Sequence, residues 1–127
     1  MLVAAGVGAW LLPWSGWLAA TLPATAQARH WWLAWAGLDA AEALAALATA
    51  VLLRRGDPRA ALTAVAGGTL LLTDAWFDVC TAPPGPGHLV AVAEAALAEV
   101  PLAAAAFWLA LTLAGESRDY RAHNRAD

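Results

Sequence analysis

Four apolar stretches, each far longer than a β-strand, decide what this 127-residue chain can fold into. They cover residues 2–22, 30–53, 60–80 and 88–114, and all are rich in Ala and Leu, which favour helices. A helix needs about 20 consecutive, mainly apolar residues to cross the hydrocarbon core of a bilayer. The sequence therefore predicts an all-α integral membrane protein, a bundle of four transmembrane helices that forms a single domain over residues 1–127.

The segments between these stretches carry residues that end helices. An Arg-rich loop over 54–59 separates the second stretch from the third, and residues 82–87 contain three prolines and two glycines. Gly115 is expected to end the fourth helix and to leave a polar tail over 115–127. Residues 26–28 have the small-residue pattern of a signal-peptidase site, but no basic segment precedes the first apolar stretch. We therefore expect the first helix to be retained.

The arginines predict the orientation in the membrane. Six of the seven lie in the middle loop or in the tail, which are on the same side of a four-span protein. The positive-inside rule assigns that side to the cytoplasm. We expect a multi-pass protein of a bacterial plasma membrane, with both termini and the tail in the cytoplasm.

Composition excludes several classes of function. The chain is 61% hydrophobic, against about 45–50% in soluble domains. Its net charge of −3 has the wrong sign for a nucleic-acid partner. A single Cys allows neither an internal disulfide nor a Cys-rich zinc site, and the absence of Lys excludes Schiff-base chemistry. The remaining partners are the lipid bilayer and a small cationic or lipidic ligand; a monomer and a homo-oligomer both fit, and no pattern identifies a cofactor.

The predicted spans contain six carboxylates, and placing them in the hydrocarbon core costs more free energy than any other feature of the sequence. Ionisable groups in a span usually face the bundle interior or a water-filled cavity. At about 1.5 Å per residue, all six fall in the outer half of the membrane, where no Arg accompanies them. They are Asp39, Glu42, Asp74, Asp78, Glu94 and Glu99.

Helical spacing groups five of the six. The two acids of the second helix are spaced i,i+3 and those of the third i,i+4, and both spacings share a helix face. Glu94 lies about 140° around the fourth helix from Glu99, so we place it outside the group. So many like charges in low dielectric must hold protons, bind a cation or admit water. The predicted ligand-binding residues, lining one outward-facing pocket, are Asp39, Glu42, Asp74, Asp78 and Glu99.

Aromatic and imidazole side chains extend this interpretation. The face of a Trp attracts cations, and Trp35 lies deep enough to form a wall of the pocket. His30 and His88 stand at the outer rim, where imidazole with carboxylate would suit a transition metal. Their spacing matches no compact metal-binding motif, so they are weak metal candidates.

Pro and Gly residues predict local helix geometry near the acids. Pro101 follows Glu99 by two residues and is expected to kink the fourth helix and open space there. The pair Gly67 and Gly68 should let a neighbouring helix approach the third closely. The small residues over 103–106 should allow the same on the fourth helix.

Three motifs resemble a small, uncharacterised actinobacterial family of four-span membrane proteins. They are HWWLAWAGLD over 30–39, DAWFDV over 74–79 and AEVPLA over 98–103. The resemblance spans about residues 30–113; it implies the fold and topology but no activity. A weaker similarity connects the intramembrane acids and aromatics to the EXPERA group of four-helix membrane proteins, although the spacing of Glu99 and Pro101 differs from the pattern of that group.

Three functions fit these residues. The first is binding or transport of a cation, organic or metallic, with protonation of the acids coupled to its release. The second is a membrane enzyme of the isomerase or cyclase type, in which a protonated carboxyl donates to a lipid substrate and a neighbouring carboxylate accepts. The third is a structural accessory subunit whose acids only hold the helices together.

Overall fold

The computed structural model describes the backbone of residues 2–123 and the side chains of residues 5–116. All regular structure in this part of the chain is helical, which confirms the all-α prediction. A π-helical turn, Ala95–Glu99, joins the last two helices into one continuous fourth helix. The α-helices are α1 (Leu2–Thr21), α2 (Trp31–Arg54), α3 (Ala60–Thr81), α4 (Pro86–Glu94) and α5 (Val100–His123).

Three helices are long and apolar enough to cross a membrane. They are Trp31–Arg54, Ala60–Thr81 and Pro86–Glu116, and they match three of the predicted spans. The part of the chain that the structure describes therefore contains three helices with the length and apolar composition that a membrane span requires. The first predicted span coincides with α1, which has 20 residues and no charged side chain. The four-span bundle remains a prediction.

The chain falls into two compact units, residues 1–31 and 32–127, where we predicted one domain. In the first unit, the rings of Trp14 and Trp17 lie 5.0 Å apart and are tilted by 31°. The hydroxyl of Thr21 donates to the carbonyl of Trp17 at 2.8 Å, near the end of α1. The second unit contains nearly all of α2 and the remaining helices, and it carries all the acids predicted to bind a ligand.

Two tight loops in the second unit depend on glycines with positive φ. Gly56 has φ 63° between α2 and α3, and Gly85 has φ 99° just before α4. Only Gly adopts such angles without a steric penalty from Cβ. Pro86 follows at the first position of α4, where its missing N–H costs no helical hydrogen bond. The loops therefore end and restart the helices close to the predicted boundaries.

The last helix is longer than predicted, because Gly115 does not end it. Helix α5 continues from Val100 to His123. A helix-ending Gly normally adopts positive φ, and among the described glycines only Gly56 and Gly85 do so. Inside a helix, Gly costs only about 0.5–1 kcal/mol relative to Ala, and no Pro follows it to interrupt the helix. The first part of the expected tail is thus helical.

Packing in the described residues places small side chains inside and large ones outside. Many large apolar side chains are exposed; Trp76 and Leu97, for example, are 69% and 81% exposed. This arrangement suits a bilayer, where lipid solvates large apolar groups and helices associate through small residues. The buried apolar side chains are Ala60, Ala64, Ala75, Ala91, Ala95, Ala103 and Ala110.

The two adjacent glycines of α3 contact different helices. A Cβ on Gly68 would lie 3.1 Å from the ring of Phe107 and 3.2 Å from the carbonyl oxygen of Ala103, both on α5. A Cβ on Gly67 would lie 3.5 Å from the Cβ of Ala45 on α2. The close approach predicted at these glycines is therefore present, and it is tightest between α3 and α5.

The π-helical turn keeps one face of the fourth helix directed inward. Ala91 and Ala103 are both buried, although twelve residues of α-helix would turn their side chains about 120° apart. In the π turn, the N–H of Val100 bonds to the carbonyl of Ala95, five residues back. Such a turn takes about one extra residue, which offsets about 100° of the difference. We expected a kink at Pro101; the structure has this wider turn ending just before it.

Candidate functional site

Three carboxylates from two helices converge in the second unit. Asp74 and Asp78 lie one turn apart on α3, and Glu99 is the last residue of the π turn. One oxygen from each lies within 4.8 Å of the other two, and we call this group the acidic triad. Asp74 is only 9% exposed, while Asp78 and Glu99 are half-buried. Two oxygens that bind one cation at about 2.4 Å can be at most twice that distance apart, so the triad has the dimensions of a shared cation site.

Several carboxylate oxygens near this point are closed to solvent and have no hydrogen-bond partner among the described residues. They are Oδ1 of Asp74, Oε2 of Glu99 and Oε1 of Glu42. Buried polar atoms without a partner are rare, because each loses its hydration without compensation. These oxygens are therefore available to a proton donor or a cation.

Glu42 and Asp39 on α2 occupy different environments. Glu42 is half-buried and lies within electrostatic range of Asp74 and Asp78. Asp39 is exposed, although we expected it to face the interior. Side chains three residues apart point about 60° apart on a helix, so Asp39 lies on the flank when Glu42 faces inward. Its charge still acts on Glu42 and Asp74.

No basic side chain is paired with these acids among the described residues. The ion pair found there joins Arg59 to Asp57, 2.6 Å apart, in the loop between α2 and α3. The hydrogen bonds from Arg59 also hold the pKa of the Asp57 carboxyl low, at about 2. The acidic triad therefore lies in a region of uncompensated negative potential.

A cavity of about 500 Å³ lies between α2, α3 and α5, with Glu42 as the carboxylate in its wall. Most of its other lining atoms belong to Ala, Gly and Leu, and two threonines complete it. Its lining residues are Glu42, Ala46, Thr49, Ala50, Leu53, Thr63, Ala64, Gly67, Leu71, Leu102, Ala106 and Leu109. Its walls are thus almost wholly apolar, with an acid at one end.

The other candidate residues do not belong to the triad. Trp35 is half-buried two turns before Glu42 on α2. His30 and His88 are exposed, and neither belongs to the group of converging ligand atoms found among the described residues. Glu94, which we placed outside the group, is exposed, as is the free thiol of Cys80. Within the part of the chain that the structure describes, the candidate cation site thus consists of the three carboxylates of the triad.

We predicted a pocket lined by five acids, whereas the cavity has Glu42 in its lining and none of the other four. The face of α2 that continues from Glu42 through Ala46 and Thr49 could be identified from its spacing, but the contributions of Thr63 and Leu109 could not. These residues differ little from other small or apolar residues of the spans. Their position in a cavity wall depends on how three helices meet, which periodicity within one helix does not specify.

Comparison with known proteins found no relative of this chain. No protein-family model matches the chain, and searches of curated proteins and of solved structures give no match either.

Proposed function

We propose that this is a multi-pass protein of a bacterial plasma membrane that binds a cation at the acidic triad. The observation that carries the proposal is the convergence of Asp74, Asp78 and Glu99 within 4.8 Å, with no basic partner among the described residues. Carboxylate oxygens are ligands for hard metal ions and also accept hydrogen bonds from ammonium groups. Binding at this site would be the first step of any transport.

A purely structural role for the acids has less support. Carboxyls that only hold helices together would be protonated and would bond to one another or to the backbone. Instead, Oδ1 of Asp74 and Oε2 of Glu99 accept no hydrogen bond from the described residues. A cation held by the triad would compensate the charge of both carboxylates.

The proposed topology places the triad towards the outside. Four spans, with α1 as the first, put the arginine-rich loop over 54–59 and the chain termini in the cytoplasm. Single cysteines in a Cys80→Ala background test this arrangement. An impermeant thiol reagent should label Pro84→Cys in intact cells and Pro58→Cys only after lysis, since both positions are exposed. The opposite pattern would contradict the topology.

Cation binding is tested on purified protein in lipid nanodiscs. Titration calorimetry and thermal melts with Mn²⁺, Ca²⁺ and methylammonium should show at least one saturable, stabilising interaction. Asp74→Asn and Glu99→Gln should each weaken it at least about tenfold, because each removes a charged ligand.

Glu94→Gln is the matched control, since Glu94 is an exposed acid on the same continuous helix as Glu99. It should leave the affinity unchanged. The proposal is overturned if none of the three cations binds the wild-type protein at millimolar concentration. It is also overturned if Glu94→Gln weakens binding as much as Glu99→Gln.

A further inference from the structure

The cavity next to the acids has the shape of a slot for a hydrocarbon group. It follows α2 from Glu42 to Leu53, eleven residues that correspond to about 16 Å of helix. Its volume of about 500 Å³ lies within the range of about 300–1,000 Å³ that is usual for small-molecule pockets. An elongated apolar body fits this space, whereas a bare metal ion would leave it unfilled.

The polar atoms of the cavity wall are satisfied at one end and unsatisfied at the other. The hydroxyl of Thr49 lies 2.8 Å from the carbonyl oxygen of Ala45 and 2.8 Å from the hydroxyl of Thr63. That of Thr63 donates to the carbonyl of Ala60 at 3.1 Å. Both threonines are therefore engaged within the protein. Glu42, in contrast, has a buried Oε1 with no partner among the described residues.

Charge complementarity specifies the head group that belongs at the unsatisfied end. Among the described residues, no Arg, Lys or His lines the cavity. Glu42 lies within electrostatic range of Asp74 and Asp78. An anionic head would be repelled there, and a neutral head would leave the negative charge uncompensated. An ammonium group supplies both a positive charge and hydrogen-bond donors.

We propose that the cation bound by this protein is an amphipathic organic ammonium ion, with its head group at Glu42 beside the acidic triad and its hydrocarbon tail in the cavity between α2, α3 and α5. The inference rests on the proposed function and specifies the ligand class. The tail would gain affinity by leaving water, about three- to fourfold for each buried methylene.

A matched series of ligands tests the head and the tail separately in nanodiscs, with partition into empty nanodiscs subtracted. Methylammonium supplies the head alone, and butyl-, hexyl- and octylammonium lengthen the tail. Octanol and octanoate carry the same tail on a neutral or an anionic head. We expect octylammonium to bind at least about 100-fold more tightly than methylammonium. Octanol should bind at least about tenfold more weakly than octylammonium, and octanoate should not bind measurably.

Variants connect these affinities to the cavity. Ala106→Leu places a larger side chain in the wall and should abolish most of the gain with tail length. Ala105→Leu is the matched control, because Ala105 is exposed on the same helix and does not line the cavity. The Ala105→Leu variant should keep the full increase in affinity with tail length. Glu42→Gln should remove the preference for octylammonium over octanol.

The outcomes separate this inference from the proposed function. If methylammonium or a metal ion binds through Asp74 and Glu99 but longer tails add no affinity, the inference fails and the proposed function stands. If octanol binds as tightly as octylammonium, the cavity accepts neutral chains such as lipid tails, and the inference again fails alone. If no cation binds, both fail. If Ala105→Leu abolishes the increase in affinity with tail length as Ala106→Leu does, the inference is also overturned.

Discussion

The hydroxyl of Thr49 on α2 lies 2.8 Å from that of Thr63 on α3, within hydrogen-bond distance. Each hydroxyl also lies within hydrogen-bond distance of a backbone carbonyl of its own helix, that of Ala45 for Thr49 and that of Ala60 for Thr63. The bond joins the two helices at the end of the cavity nearer the 55–59 loop. It supplies polar attraction at a contact that is otherwise formed by small apolar residues.

Removing either hydroxyl should therefore loosen the contact between α2 and α3. Thr49→Val and Thr63→Val keep the shape of the side chain and remove the donor or the acceptor. A double-mutant cycle should give a coupling energy of about 0.6 kcal/mol, and at most about 1.7 kcal/mol, as for other hydrogen bonds between membrane helices. The measurement is reversible unfolding in mixed micelles. Strictly additive effects would show that the two hydroxyls do not interact.

The two glycines of α3 should respond differently to the same substitution. Gly68→Ala places a Cβ within 3.2 Å of the Ala103 carbonyl oxygen, and this backbone atom moves only if α3 and α5 separate. We expect a loss of about 1–3 kcal/mol in the free energy of unfolding, as for other overpacked contacts. Unfolding in mixed micelles measures it.

Gly67→Ala is the control for that substitution. Its Cβ would meet Ala45 at 3.5 Å, an ordinary van der Waals distance, and Ala is the better helix former. Its effect should be near zero or stabilising by up to about 1 kcal/mol. Equal losses at the two positions would mean that α5 does not limit the space at Gly68.

Much of the helical framework could be predicted because long apolar stretches have few alternatives. The stretch predicted over 60–80 is the helix Ala60–Thr81, and the proline-rich loop ends where Pro86 starts α4. The continuation past Gly115 could not be predicted from local sequence, because a Gly that keeps helical backbone angles does not end the helix. The π turn was not predicted either, because it depends on which face of the fourth helix meets α3.

The candidate site, too, could be predicted from the sequence only in part. The spacing of Asp74 and Asp78 required a shared helix face, and Glu99 was placed with them by depth and by its position on the fourth helix. Asp39 was misplaced because a spacing of three residues leaves about 60° between side chains, enough to separate an inward from an outward position. The cavity depends on the volumes left between three helices, which no single helix encodes.

The loop between α2 and α3 should show a carboxyl with unusual acidity. Arg59 donates to Asp57 through its side chain and, at 2.9 Å, through its backbone N–H. These bonds lower the pKa of Asp57 from 3.8 to about 2. Because the folded pKa is depressed, the stabilisation is present above about pH 4 and is lost as the pH falls towards 2. Titration of the Asp57 carboxyl by NMR should give the low value.

Asp57→Asn tests the consequence for stability. The variant keeps an acceptor for the backbone N–H of Arg59 but has no charge to titrate. The wild type should therefore melt at a higher temperature than the variant near pH 5, and the difference should shrink between about pH 4 and pH 2. A difference that stays constant over this range, or an Asp57 that titrates near 3.8, would contradict the assignment.

Pro101 lies two residues after Glu99, the last residue of the π turn. Pro101 has no N–H, so the helix lacks one hydrogen-bond donor directly after the turn. Pro101→Ala restores this donor and should let the segment 95–99 adopt α-helical geometry. Losing the extra residue of the turn would change the direction of Glu99 relative to the helix beyond it by about 100°.

Pro101→Ala should therefore weaken cation binding at the triad several-fold, although no carboxylate is changed. Leu97→Ala is the control, because Leu97 lies in the same turn and points outward. It should bind the cation as the wild type does. Calorimetry in nanodiscs measures both affinities, and amide hydrogen exchange at Val100 reports the bond to Ala95. If Pro101→Ala changes the exchange at Val100 and leaves the affinity intact, the turn does not position Glu99 for binding.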